Sequence, residues 1–121
     1  MENFSRLINS GKAGDLIGMS AVPFLLDREI IVLDGDIETL WNNVVTAGYT
    51  VDEPELERGV AVTEESYVEF NDSMEVKVFF EKYAGKRARL LELKTSSGQR
   101  LLLLFELTFG GRQIRGFKGP Y

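Results

Sequence analysis

The sequence contains neither cysteine nor histidine among its 121 residues. Without cysteine the chain can form no disulfide, no thiolate zinc site and no cysteine nucleophile, and without histidine it lacks imidazole ligands and the commonest general base. These two absences exclude Ser-His-Asp catalysis and histidine-bound metal enzymes. No local motif specifies another reaction, so the sequence indicates no cofactor, no metal site and no catalytic residue.

Long hydrophobic runs are also missing. The longest uninterrupted apolar run, residues 101–105, covers five positions, whereas a membrane-spanning helix needs about 20. Residues 1–18 carry charges at Glu2, Arg6, Lys12 and Asp15 and lack the apolar stretch of a signal peptide. We therefore expect no membrane association and a cytoplasmic location.

What is present is the composition of one folded domain. Hydrophobic residues make up 44% of the chain and charged residues 27%, with 12 glycines and 3 prolines. Such a composition supports a packed core and is not typical of disordered chains. The length fits a single domain over residues 1–121.

Charge is distributed unevenly along the chain. Residues 27–81 contain 15 acids and 3 bases, whereas residues 82–121 contain 2 acids and 9 bases. One interpretation is that acidic and basic strands pair within one sheet; the other is an acidic face that attracts a basic protein. A pI of about 4.8 argues against nucleic-acid binding.

The strongest helical signal covers residues 36–48. Apolar residues fall at i, i+3, i+4, i+7 and i+8, which is the stripe of a core-facing helix, and these residues are Ile37, Leu40, Trp41, Val44 and Val45. Asp36 is a candidate N-cap, and Gly48 is suited to the position after the last helical residue.

The rest of the chain divides into a helical start and a sheet. Residues 3–19 indicate a broken helix or helical pair, and residues 22–26 and 29–33 indicate short strands. Residues 59–70, 74–83, 86–95, 100–109 and 112–118 are predicted to be strands of an antiparallel meander, because turn-like connectors of hairpin length separate them. Strand 100–109 is apolar on both faces at its start, which predicts a central position.

Helices followed by a meander predict an α+β fold with N-terminal helices packed on one face of a curved antiparallel sheet. The order of elements resembles the nuclear transport factor 2-like superfamily, a cone-shaped α+β roll that includes ketosteroid isomerases and polyketide cyclases. The segments that carry the resemblance are the opening helix at residues 4–11, the first strand at 22–26, the turn and aromatic-bearing helix at 34–41, and the closing hairpin at 105–115.

The resemblance implies a pocket between the concave face of the sheet and the helices, used for a small molecule or a dimer interface. It does not imply an activity, because one fold hosts many functions. The chain also has no counterpart of the Asp-His pair found in some enzymatic members, since histidine is absent.

The candidate pocket residues are the amphipathic or polar ones expected to reach the interior: Trp41, Tyr67, Tyr83, Glu92 and Glu106. Glu106 lies between two apolar neighbours, so it is either a desolvated acid or base or a surface carboxylate opposite Arg89 or Arg115. A second set, in the acidic stretch, is either a solvated loop or a surface for a basic partner, and comprises Glu53, Glu55, Glu57, Glu64 and Glu65.

These observations predict a non-catalytic domain that binds a small apolar ligand or a protein, or that forms a homodimer. Two alternatives stay open. One is a small isomerase or cyclase that uses a buried pocket carboxylate. The other is an acidic inhibitor or immunity protein that covers a basic site of its partner.

Overall fold

A computed structural model describes residues 3–121 of the chain. These residues form four α-helices, six strands and one short 3-10 helix. In chain order they are α1 (Phe4–Asn9), α2 (Ala13–Gly18), β1 (Ser20–Leu26), β2 (Glu29–Ile31), α3 (Asp34–Ala47), β3 (Val60–Ala61), the 3-10 helix (Ser66–Glu69), α4 (Met74–Tyr83), β4 (Ala88–Lys94), β5 (Arg100–Thr108) and β6 (Gly111–Lys118).

The six strands form one mixed sheet in the order β2-β1-β6-β5-β4-β3. All neighbouring pairs are antiparallel except β1 and β6, which run parallel. The α+β class predicted from the sequence is confirmed, but the wholly antiparallel sheet is wrong. Strand β1 of the N-terminal hairpin pairs with the C-terminal strand β6, and these two strands form the parallel pair.

Strand β5 is central, as predicted, and it is buried on both faces. Leu103 and Phe105 face a core formed with α1, α2 and α3, where Trp41 has no exposed surface. Leu102 and Leu104 face a second core on the other side of the sheet. The sheet is therefore covered by helices on both faces and not on one face only.

The second cover is α4, which corrects the strand predicted at residues 74–83. Val76, Phe79 and Phe80 are buried at i, i+3 and i+4, and the Ser73 hydroxyl accepts a hydrogen bond from the backbone N–H of Val76 at 3.3 Å. The alternating pattern that favours a strand places Met74 on the buried face, but Met74 is 71% exposed. A helix buries the phenylalanines together, so tertiary packing decides against the strand.

The strand predicted at residues 59–70 is also mostly absent. Only Val60 and Ala61 pair with β4, and the chain then turns into the 3-10 helix. The turn is held by the Ser66 hydroxyl, which accepts a hydrogen bond from the backbone N–H of Thr63 at 2.8 Å. This local hydrogen bond competes with the sheet ladder for the same backbone group.

Helix α3 confirms the predicted stripe, and Gly48 ends it in the left-handed conformation at φ 71°. Two details differ from the expectation. Asp36 is not the N-cap, because the helix begins at Asp34 and Leu33 occupies the cap position without a side-chain hydrogen bond. Val45 is only half-buried, whereas Ile37, Leu40, Trp41 and Val44 lie in the core.

A buried ion pair ties the N-terminal helices to the sheet. The carboxylate of Glu57 accepts hydrogen bonds from the backbone N–H groups of Phe4 and Ser5, which begin α1. The same carboxylate lies 3.5 Å from Arg112 Nη1 on β6. The Arg112 guanidinium lies 3.8 Å from the centre of the Phe4 ring, so one cluster links the loop after α3, the first helix and the last strand.

Burial changes the pKa of the arginine in this cluster. It lowers the pKa of Arg112, while the charge of Glu57 and its hydrogen bond to the guanidinium oppose that decrease. Removing a guanidinium or a carboxylate from water costs free energy, and each is stable in the interior only when the other is there to pair with it. Removal of either partner leaves an uncompensated charge beside Phe4.

Substitution of the single tryptophan tests the packing of α3. Trp41→Ala should lower the free energy of unfolding by about 3 to 5 kcal/mol, because the indole is fully buried and its Nε1–H donates to the Ser20 hydroxyl at 2.8 Å. Urea unfolding followed by far-ultraviolet circular dichroism measures this, since the variant lacks the tryptophan signal. Trp41→Phe should lose less, and an alanine cost below about 1 kcal/mol would contradict this packing.

Substitution of Glu57 tests the buried ion pair. Glu57→Ala should cost about 3 to 5 kcal/mol at neutral pH, because Arg112 and two backbone N–H groups lose their partner. The exposed Glu55 is the matched control, and Glu55→Ala should change stability by less than about 0.5 kcal/mol. If the two variants had equal stability by urea unfolding, the cluster would not hold α1 on the sheet.

Candidate functional site

The candidate site is a groove between α3 and the sheet, with a volume of about 520 Å³. We call it the helix–sheet groove. Its apolar lining comes from β1, β2, α3 and β6, and consists of Leu26, Ile31, Leu40, Val44, Ala47 and Phe117 with Pro120 of the C-terminal tail. Its polar lining consists of Glu29, Asp36, Thr39, Asn43 and Tyr49.

One side of helix α3 forms one wall of the groove. Asp36, Leu40, Asn43 and Ala47 recur at three- or four-residue spacing and so lie along one side of α3. This side borders the core stripe, because Leu40 is buried whereas Asp36 and Asn43 are exposed. The groove therefore has an apolar floor continuous with the core and a polar rim open to solvent.

The rim carries negative charge. Glu29 comes from the strand wall and Asp36 from the helix wall, and no lysine or arginine among residues 3–121 lines the groove. Neither carboxylate forms an ion pair with any residue between positions 3 and 121. Asp36 is not used as a helix cap either, so both carboxylates remain available to a ligand.

Tyr49 is the one aromatic hydroxyl of the groove, and sequence reasoning missed it. Burial raises the pKa of Tyr49 to about 12, so the phenol stays protonated and neutral throughout the physiological range. Its position follows from Gly48, whose left-handed conformation ends α3 and turns the next residue back toward the groove. The sequence offered one signal for this position, which is an aromatic residue directly after the glycine that ends the predicted helix.

The predicted pocket residues do not come together. Trp41 is buried behind the groove and does not line it. Tyr67 lines a different cavity of about 500 Å³ between the 3-10 helix and α4, where Lys77 Nζ lies 5.9 Å from its ring centre. Glu92 lies at the surface and pairs with Arg100. From this exposed position Glu92 lines another cavity, beside β3 and β4.

Glu106 and Tyr83 lie on the face of the sheet that α4 covers. Glu106 is half-buried, pairs by register with Ala88 and Gln113, and lines none of the cavities described here. The surface alternative places Glu106 opposite Arg89 or Arg115, and neither arginine forms an ion pair with it. Arg115 is the extra residue of a bulge in β6, donates to the Pro23 carbonyl at 2.9 Å and lies over the ring of Tyr83.

The five acidic partner-surface residues divide into three groups. Glu53 and Glu55 are exposed, and Glu53 accepts a hydrogen bond from Asn9 Nδ2 at 2.8 Å. Glu64 and Glu65 are exposed and line a small cavity beside Tyr67. Glu57 belongs to the interior, and its placement on a surface for a partner is wrong because it pairs with Arg112 inside the protein.

A further cavity of about 620 Å³ lies beside β3 and β4, and its one cation pairs with two of its three lining carboxylates. Arg100 pairs there with Glu92 and with Glu69, the latter at 3.6 Å. The hydrogen bond that Arg100 donates to the Glu92 carboxylate raises the pKa of Arg100, and the cost of burial opposes this increase. In this cavity only Glu65 of the three carboxylates forms no ion pair within the described residues, whereas both carboxylates of the helix–sheet groove are unpaired there.

Within residues 3–121, no three acidic side chains come together in a way that would hold a metal ion. No helix in that part of the chain is both long and apolar enough to cross a membrane. Comparison of the chain with models of protein families, with curated proteins and with solved structures finds no match. The geometry of the site is therefore the basis for a proposed function.

The raised pKa of Tyr49 predicts a pH dependence of stability. The folded state holds the phenol proton more tightly than the unfolded state, whose tyrosine pKa is about 10. The stability contributed by this residue should be complete below pH 10 and should decrease as pH rises from about 10 to 12. Urea unfolding of the wild type and of Tyr49→Phe between pH 8 and 11.5 measures it, and a difference between them that did not vary with pH would contradict the burial of Tyr49.

Proposed function

We propose that the protein is a non-catalytic binding module that takes a small, largely apolar ligand in the helix–sheet groove. The observation that carries this proposal is the combination of an apolar floor with a few polar groups at the rim. Small-molecule sites have this composition, and their volumes range from about 300 to 1,000 Å³. The groove volume of about 520 Å³ falls within that range.

The arrangement of titratable groups favours binding over the isomerase or cyclase alternative. That alternative needs a desolvated carboxylate within hydrogen-bond reach of the ligand. Glu106, the candidate for this role, lines none of the cavities described, and the carboxylates of the groove are exposed at its rim. Tyr49 holds its proton to about pH 12, which is far above the range useful for a general base at neutral pH.

We also propose that the fold belongs with the nuclear transport factor 2-like rolls. Support comes from the order of two short helices, a hairpin, the long helix α3 and three closing strands. The groove lies between α3 and the sheet, where the resemblance implies a pocket. Helix α4 is a departure from the expected order, because it replaces a strand and covers the other face of the sheet.

The other partners expected from the sequence stay predictions. The homodimer was expected because a second apolar face of β5 needed a cover, and α4 supplies that cover within the chain. A remaining surface for self-association is the edge strand β2, where Ile30 is 42% exposed and Val32 and Leu33 follow it at the surface. The basic protein partner and the cytoplasmic location stay predictions as well.

Blocking the groove tests the proposed function. Asn43→Trp places an indole in the groove, whereas Asn42→Trp places the same side chain on the neighbouring exposed position that does not line it. The probe is naphthalenemethanol, which is neutral and apolar, followed by amide chemical shifts in heteronuclear NMR. We expect saturable shifts at groove residues with a Kd on the order of 1 mM for the wild type, from the modest affinity available per ligand atom.

The two variants decide the outcome. Asn42→Trp should bind as the wild type does, and Asn43→Trp should show no saturable shifts at the groove. Melting temperatures establish that both variants are folded. If the wild type did not bind the probe at the groove, or if both variants bound it equally well, the groove would not be the site.

A further inference from the structure

We propose that the ligand of the helix–sheet groove is a cation, in the form of an ammonium group attached to an apolar body of one or two rings. This inference rests on the proposed function and adds the charge of the ligand to it. Glu29 and Asp36 line the groove from two different elements, β2 and α3. A single ligand in the groove would meet a carboxylate from each wall.

The surroundings increase the negative charge of this rim. Between residues 27 and 38 the sequence contains five acids and one base, and these residues form the segment from the β1–β2 turn to the first turns of α3. Like charges beside a concave, low-dielectric surface focus the field into the concavity. The groove therefore concentrates cations and repels anions.

The remaining polar groups of the groove do not oppose this selectivity. Thr39 and Asn43 are uncharged, and Tyr49 is a neutral phenol because burial raises its pKa. A neutral phenol ring also offers an electron-rich face, which attracts ammonium groups. The charge preference of the groove consequently depends on Glu29 and Asp36.

The apolar floor defines the other half of the ligand. Leu40, Val44 and Phe117 bury any group placed between α3 and the sheet, and the groove is too small for more than a compact body of one or two rings. An inorganic cation would gain nothing from this floor. The groove thus combines features that select an amphipathic ammonium compound.

Three probes with the same ring system separate charge from shape. They are naphthylmethylammonium, naphthalenemethanol and naphthoate, which are cationic, neutral and anionic at pH 7. At low ionic strength we expect the cation to bind about five times more tightly than the neutral probe and the anion to bind more weakly than both. Added salt at about 0.5 M should remove most of the difference, because the rim is exposed.

Matched variants assign the preference to the rim. Glu29→Gln and Asp36→Asn should each reduce the cation preference by about twofold, and the double variant should lose most of it while still binding the neutral probe. The exposed controls Glu38→Gln and Asp34→Asn lie on α3 outside the groove and should retain most of the preference.

The outcomes distinguish this inference from the proposed function. Equal affinity for the cationic and neutral probes, with binding blocked by Asn43→Trp, would overturn the charge assignment and leave the binding function intact. If the control variants lost as much of the cation preference as the rim variants, the role of the rim would be overturned, because the preference would then come from net charge alone. Failure of all three probes to bind would overturn both proposals.

Discussion

The central constraint on this structure is that β5 is apolar on both faces. Leu101, Leu103 and Phe105 point to one side and Leu102 and Leu104 to the other, and all five are buried. A strand of this kind is stable only where both sides are covered. The chain therefore has to supply two layers of helix for one sheet, and its first half alone supplies only one of them.

The order of the chain shows how this requirement is met. Helices α1 to α3 cover one face, and the segment after α3 then passes the edge of the sheet at β3 and returns as α4 on the opposite face. This passage lies beside α1 and β6, and there Glu57 fixes it through Arg112 and the first turn of α1. The ion pair thus joins three parts of the chain that no helix or sheet hydrogen bonds connect.

Sequence reasoning succeeds where one local pattern decides. The stripe of α3, its end at Gly48 and the three closing strands follow from periodicity and turn composition alone. Residues 74–83 carry two patterns at once, because Val76 and Phe80 fit both an alternating strand and a helical face. Ser73 as a cap and Phe79 beside Phe80 favour the helix, and burial against Leu104 decides it.

The site is harder to predict because it depends on pairings between distant segments. The parallel pairing of β1 with β6 joins residues about ninety positions apart, and no local periodicity records it. Phe117 reaches the groove only through that pairing, and Glu29 and Asp36 line one cavity only because β2 and α3 both border it. The apolar or charged character of each residue was visible in the sequence, whereas their placement around one cavity was not.

The same geometry separates core positions from rim positions along α3. Leu40 and Val44 belong to both the core and the floor of the groove, so changes there alter folding as well as the shape of the groove. Asp36 and Asn43 line the same groove from exposed positions outside the core. Because exposed substitutions change stability little, the charge and shape of the rim can vary on an unchanged fold. In the proposed function, ligand selectivity therefore depends on a few surface positions, which the constraint that β5 imposes on the core leaves free to vary.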